Sequence, residues 1–300
     1  MPLALFSRKS ASSSRKLFAA PSPRALRRAA GLGLALLSLL SVSAGQAAHA
    51  GTVNWDKTPG DWFASPTHWD NGSTPGAGDD AVNMSTAAMT LGQSTTINSF
   101  FSNGAFSLQG GTFSGNQANS LSTITVNNVF TVDGGGINNF TVDQGTGGSL
   151  VFTGNGNNSI TNSIINSSMD LATNTNAYLE VVGAVTENGN INLGTTSNGL
   201  EIDNQGSNLT LGSGGGLTGF GTVSQHQQTT LTNNGTVSAN VAGQQLTIGT
   251  TNFTNTGTTE VQNGAALDVT GANTDSGNIL VKTGGTATFS QGLTQTAGLT

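Results

Sequence analysis

From about Leu91 the chain alternates apolar and small polar residues in short runs. Examples are Thr123-Ile124-Thr125-Val126, Val129-Phe130-Thr131-Val132, Phe140-Thr141-Val142 and Leu150-Val151-Phe152. A period of two sends successive side chains to opposite faces, so each run predicts a strand with one face inward and one in water. Gly, Asn and Asp separate the runs and predict turns. No apolar stripe is sustained at helical spacing.

The strands repeat. Gly235, Gly257 and Gly277 sit in equivalent turns spaced 22 and 20 residues apart. Leu246-Thr247-Ile248, Leu267-Asp268-Val269 and Ala287-Thr288-Phe289 recur at 21 and 20. Such a period, made only of strands and turns, predicts an all-β fold: a parallel, right-handed β-helix, or solenoid, over residues 91–300. About ten coils at ~4.8 Å each give a body on the order of 50 Å long. Leu, Ile, Val and Phe are expected inside, with Thr, Asn and Gln in ladders on the outside. The Leu-x-x-Leu-x-Leu-x-x-Asn spacing of leucine-rich repeats is missing. Phe130-Thr131-Val132-Asp133 and Phe140-Thr141-Val142-Asp143 make a shorter echo of ten. Between 91 and 230 the period is ragged, and an antiparallel sandwich stays open there. The close, Gln295-Thr296-Ala297-Gly298-Leu299-Thr300, reads as the start of another coil, so truncation from a longer protein is expected.

Residues 51–90 differ from this body. They hold all three tryptophans, Trp55, Trp62 and Trp69, seven residues apart, with His68, Pro75 and Gly78-Asp79-Asp80-Ala81. The pattern W…W…(H)W…P…GD.A resembles the start of autotransporter-like passengers and of secreted bacterial surface proteins with a PEP-CTERM sorting tail. That resemblance implies a Trp-rich N-terminal module followed by solenoid repeats, exported from a Gram-negative cell. The first coil of a solenoid has an open apolar end and an unpaired strand edge. Trp55, Trp62, Trp69, Pro75 and Asp79 are therefore expected to form a cap. The competing reading is a sugar-stacking platform, with Asp70, Asp79 and Asp80 offering oxygens to Ca²⁺.

Residues 1–50 read as a signal peptide. A basic leader precedes a fourteen-residue apolar run, Ala29 to Val42, which is too short for the ~20 residues a spanning helix needs. Ala48-His49-Ala50 supplies the small-x-small site, placing cleavage between Ala50 and Gly51.

Charge sharpens the picture. Seven of nine basic residues precede position 29, and all fifteen acidic residues lie beyond 50. The mature chain keeps only Lys57 and Lys282 against fifteen carboxylates, a net charge of −13. Such a surface repels nucleic acid and anionic lipid, so neither partner is expected, nor membrane insertion of the mature chain. With no cysteine there is no disulfide, Cys-ligated zinc or thiol chemistry. No required cofactor is expected, although Ca²⁺ would relieve the self-repulsion.

Catalytic candidates are sparse. Glu180, Glu187 and Glu201 are the acids best placed to approach one another across coils, as glycoside hydrolysis requires. A Ser–His–Asp site would need His68 or His226; His226 sits in a polar, turn-like run and reads as a surface residue, and Lys282 has no carboxylate near it in sequence. The expected function is a non-enzymatic structural or adhesive surface protein facing polysaccharide, matrix or other cells. A carbohydrate-active β-helix enzyme or carbohydrate-binding module is the alternative. Ice or mineral binding through Thr-x-Thr ladders is disfavoured, because those pairs do not hold one position in successive coils.

Overall fold

The computed structural model describes residues 51–116, 121–194 and 199–297; the expected leader, with Ala48 and Ala50, lies outside them. Apart from one 3-10 turn, Pro66–His68, the regular structure of the described residues is β-strand. The strands stack coil upon coil into a parallel β-solenoid with three faces. The first face begins with Thr52–Asn54, Asp80–Asn83 and Ser99–Ser102 and reaches Ala272–Asp275 and Thr294–Gln295. The second runs from Gly60–Asp61 through Met89–Leu91 and Phe106–Leu108 to Asn278–Val281. The third runs from Thr95–Ile97 through Thr112–Gly115 and Gly136–Asn138 to Thr286–Phe289. All these strand pairings are parallel, so the sandwich left open for 91–230 is excluded. Three long strands, Leu179–Glu187, Leu200–Leu211 and Gly216–Gln225, each bend through two faces. At the first of these bends Gly183 takes φ +69°, a left-handed geometry that a side chain would strain.

The repeat markers found in the sequence are structurally equivalent. Leu246 pairs with Leu267, and Leu267 with Ala287, in one inward column. Gly215, Gly235, Gly257 and Gly277 form a second column at a corner. A Cβ on Gly257 would lie 2.2 Å from the Gly235 carbonyl oxygen, and one on Gly277 would lie 2.1 Å from that of Gly257. Only glycine lets the chain pass so close to the coil beneath. The period is ragged earlier because corner loops vary while strands stay in register: steps from Ser99 to Thr123, Thr141, Ile164 and Thr186 are 24, 18, 23 and 22 residues. The echo between Phe130 and Phe140 joins strands on different faces, the second and the first.

One contiguous apolar core follows the axis from Val53 to Val269. Not every inward position is apolar, which corrects the expectation that asparagines face solvent. Asn233 and Asn255 are buried on the first face, stacked on Asp275. The Asn233 Nδ2 donates to Asn255 Oδ1 at 2.7 Å, and the Asn255 Nδ2 to Asp275 Oδ1 at 2.5 Å. Asn233 Oδ1 also accepts from the Gly235 N–H, and its Nδ2 donates to the Thr258 carbonyl, so the ladder ties down the corner that holds the glycine column.

Candidate functional site

The N-terminal module folds back into the first coil. Trp55 and Trp69 face each other across an isolated antiparallel bridge, and their rings meet edge-on at 4.9 Å. Trp62 lies against Trp69 and then against Phe100, Phe106 and Phe113 of the coils beyond. All three indoles are buried, as are Pro75 and Asp79, so no tryptophan offers a ring face to a sugar. Trp55 Nε1 donates to the Thr58 carbonyl, and Asp79 Oδ2 accepts from the Gly76 N–H. The carboxylates proposed for Ca²⁺ bond to separate neighbours: Asp70 to Asn54, Asp79 through Oδ2 to Gly76, and Asp80 to Asn98 and Ser99. His68 stacks on Trp55 and sits 2.8 Å from both Asp56 oxygens; its hydrogen bond holds the Asp56 carboxyl below the usual range.

The outward side of the first face carries a column that sequence reading missed. Ser99, Thr123, Thr141, Ile164, Thr186, Thr210, Thr232, Thr254, Thr274 and Thr294 occupy one register position in successive coils. Only Ile164 interrupts the hydroxyls. From Thr186 onward the neighbouring outward columns are Ala184, Asn208, Thr230, Asn252 and Ala272 on one side, and Asn188, Gly212, Asn234, Thr256, Ser276 and Thr296 on the other. None of these positions is charged, although residues 51–300 carry a net charge of −13. Hydroxyls repeat about every 4.8 Å along the axis, and adjacent columns lie about 6.6 Å apart. Cross-coil bonds fix the grid: Thr232 Oγ1 donates to Asn208 Oδ1, and Thr256 Oγ1 to Asn234 Oδ1. Thr-x-Thr pairs do not repeat, but a single threonine does. Its spacing of 22, 20 and 20 from Thr232 to Thr294 matches the glycine markers, and that was the signal available in the sequence.

The third face brings acids together. Glu180 pairs in register with Glu201, and Val182 with Asp203. Glu201 accepts from the Tyr178 hydroxyl at 2.5 Å and meets His226 Nδ1 at 2.6 Å; Asp203 reaches the same imidazole at 3.6 Å. Burial, and then a hydrogen bond shared with Asp203, raise the Glu180 carboxyl above its ordinary value. Tyr178 is likewise pushed up, first by burial and then by Glu201. His226 is thus an exposed ring locked onto two carboxylates from the preceding coil. Glu187 does not join them. It points inward on the first face, between Ile165 and Leu211. The acids of the cluster are occupied by one another, by Tyr178 and by His226, and Glu201 is almost wholly buried. Lys282, without a partner nearby in sequence, bonds Glu260 at 2.8 Å one coil back.

No family model, curated protein or solved structure matches this chain. Among the described residues, no three His, Asp or Glu side chains are placed to hold a metal ion, and no helix is long and apolar enough to cross a membrane.

Proposed function

We propose that the mature protein is an exported, non-enzymatic surface solenoid that adheres to uncharged extracellular polysaccharide through its first face. The threonine column carries this reading. A flat, rigid array of hydroxyl and amide groups matches a hydroxylated polymer, whose own groups both donate and accept hydrogen bonds. Its position on packed strands means little side-chain freedom is lost on contact. Acidic side chains elsewhere on the body would keep the protein soluble and away from nucleic acid and anionic lipid. Export rests on the leader in residues 1–50, and the N-terminal cap on the buried tryptophans.

The test is retention on insoluble neutral polysaccharide, with cellulose, chitin and xylan as the panel. The wild type is expected to bind at least one. A double Thr210→Lys, Thr254→Lys variant, folded by circular dichroism, is expected to lose at least tenfold in affinity, because it places two hydrated charges in the grid. Equal retention of the two proteins would remove the face from the account. The acid cluster gives the hydrolase reading its one specific observation. Soluble sugar released during incubation, and abolished by Glu201→Gln, would select that reading instead.

A further inference from the structure

A groove lies where the loop around Gly76 and Ala77 overhangs the start of the third face. It has a volume of about 370 Å³, within the range of small-molecule sites, and is lined by Phe63, Ala77, Ser94, Thr96, Thr112 and Ser114 among others. One wall carries an aromatic ring, half-buried against the core; the other is a bank of hydroxyls from two successive strands, Thr95–Ile97 and Thr112–Gly115. None of its lining side chains is charged.

Both walls are fixed by hydrogen bonds. Asp61 Oδ1 accepts from the N–H groups of Phe63 and Ala64, while its Oδ2 accepts from Thr90 Oγ1, which anchors the segment bearing the ring. Asp79, buried, holds the overhanging loop through the Gly76 N–H, and Asn116 Nδ2 donates to the Ala77 carbonyl at 2.9 Å. Ser94 Oγ accepts from the Thr112 N–H across the coil step. The groove is therefore formed before any ligand arrives.

We infer that this groove binds a neutral oligosaccharide segment. A pyranose ring has a C–H face suited to an aromatic side chain and a rim of hydroxyls suited to Ser and Thr, which can both donate and accept. The lack of charge disfavours uronic acids and phosphorylated sugars, and no cation lines the groove to balance an anion. The inference rests on the adhesive reading and deepens it: the first face meets a polymer surface, and the groove takes one chain of it.

The experiment is calorimetric titration of the exported protein with cellohexaose, chitohexaose, xylohexaose and maltohexaose. At least one is expected to bind, with affinity reduced tenfold or more in both Phe63→Ala and Thr112→Arg. The second variant fills the groove from an exposed position, so it stands even where loss of the Phe63 ring disturbs folding. Thr131→Lys, on the second face and outside both the groove and the threonine column, is expected to leave this binding unchanged. Failure of the wild type to bind any hexasaccharide, or binding that survives Thr112→Arg, overturns the groove. Retention on the insoluble polymer, measured in parallel, reports separately on the adhesive reading, which falls only if that retention is absent.

Discussion

Glu187→Gln is expected to stabilise the solenoid at neutral pH, by an amount that grows with pH. Glu187 is fully buried between Ile165 and Leu211, and neither carboxylate oxygen has a hydrogen bond of ordinary geometry. Burial pushes its pKa up to about 9, and the nearby Gly189 N–H offsets this only in part. The folded state therefore keeps a proton that the unfolded chain releases near pH 4.5. Stability is undiminished below that value and declines as pH rises towards 9, by ~1.4 kcal/mol per unit, because the native state binds more protons than the unfolded one. At pH 7 the accumulated loss is about 3 kcal/mol. Glutamine has nearly the same shape and no charge to lose. Chemical denaturation of both proteins at pH 4, 7 and 9 checks this: the stabilities should converge at pH 4 and separate steadily above it. A difference independent of pH would mean that Glu187 ionises in the folded protein.

Trp62→Ala is expected to cost about 3–5 kcal/mol, the range for deleting a large buried aromatic side chain. The indole meets Trp69 on one side and Phe100, Phe106 and Phe113 on the others, so it joins the N-terminal module to the next coils. Its removal leaves a cavity between rings held by separate strands, which have no easy way to collapse. Trp62→Phe should cost much less: the ring contacts survive in part, and the buried Nε1, which has no partner, is eliminated. Denaturation midpoints measure both. A loss below about 1 kcal/mol for the alanine variant would show that the module does not secure the first coil.

The solenoid was legible because its two strongest constraints leave marks in sequence. A column of glycines is required where a Cβ would lie only about 2 Å from the carbonyl oxygen of the coil beneath, and Gly235, Gly257 and Gly277 advertise that spacing. Leu246, Leu267 and Ala287 advertise the inward register. What stayed hidden depends on neighbours one coil away. Asn233 and Asn255 look like surface residues until the stack supplies each with the other as a partner. Lys282 looks isolated until Glu260, 22 residues back, lies beside it. Glu180, Glu187 and Glu201 look alike, yet a corner at Gly183 sends Glu180 outward on the third face and Glu187 inward on the first. The threonine column was obscured by coil steps varying from 18 to 24 residues, which no fixed period aligns.

An exported surface protein is open to protease from outside the cell, whereas a retained one is not. Intact cells producing the full chain would be treated with external protease, and the N-terminus of the surface-released protein sequenced by mass spectrometry. Export with cleavage after Ala50 gives release from intact cells of a chain beginning at Gly51. A protein protected inside the cell and still beginning at Met1 would contradict it.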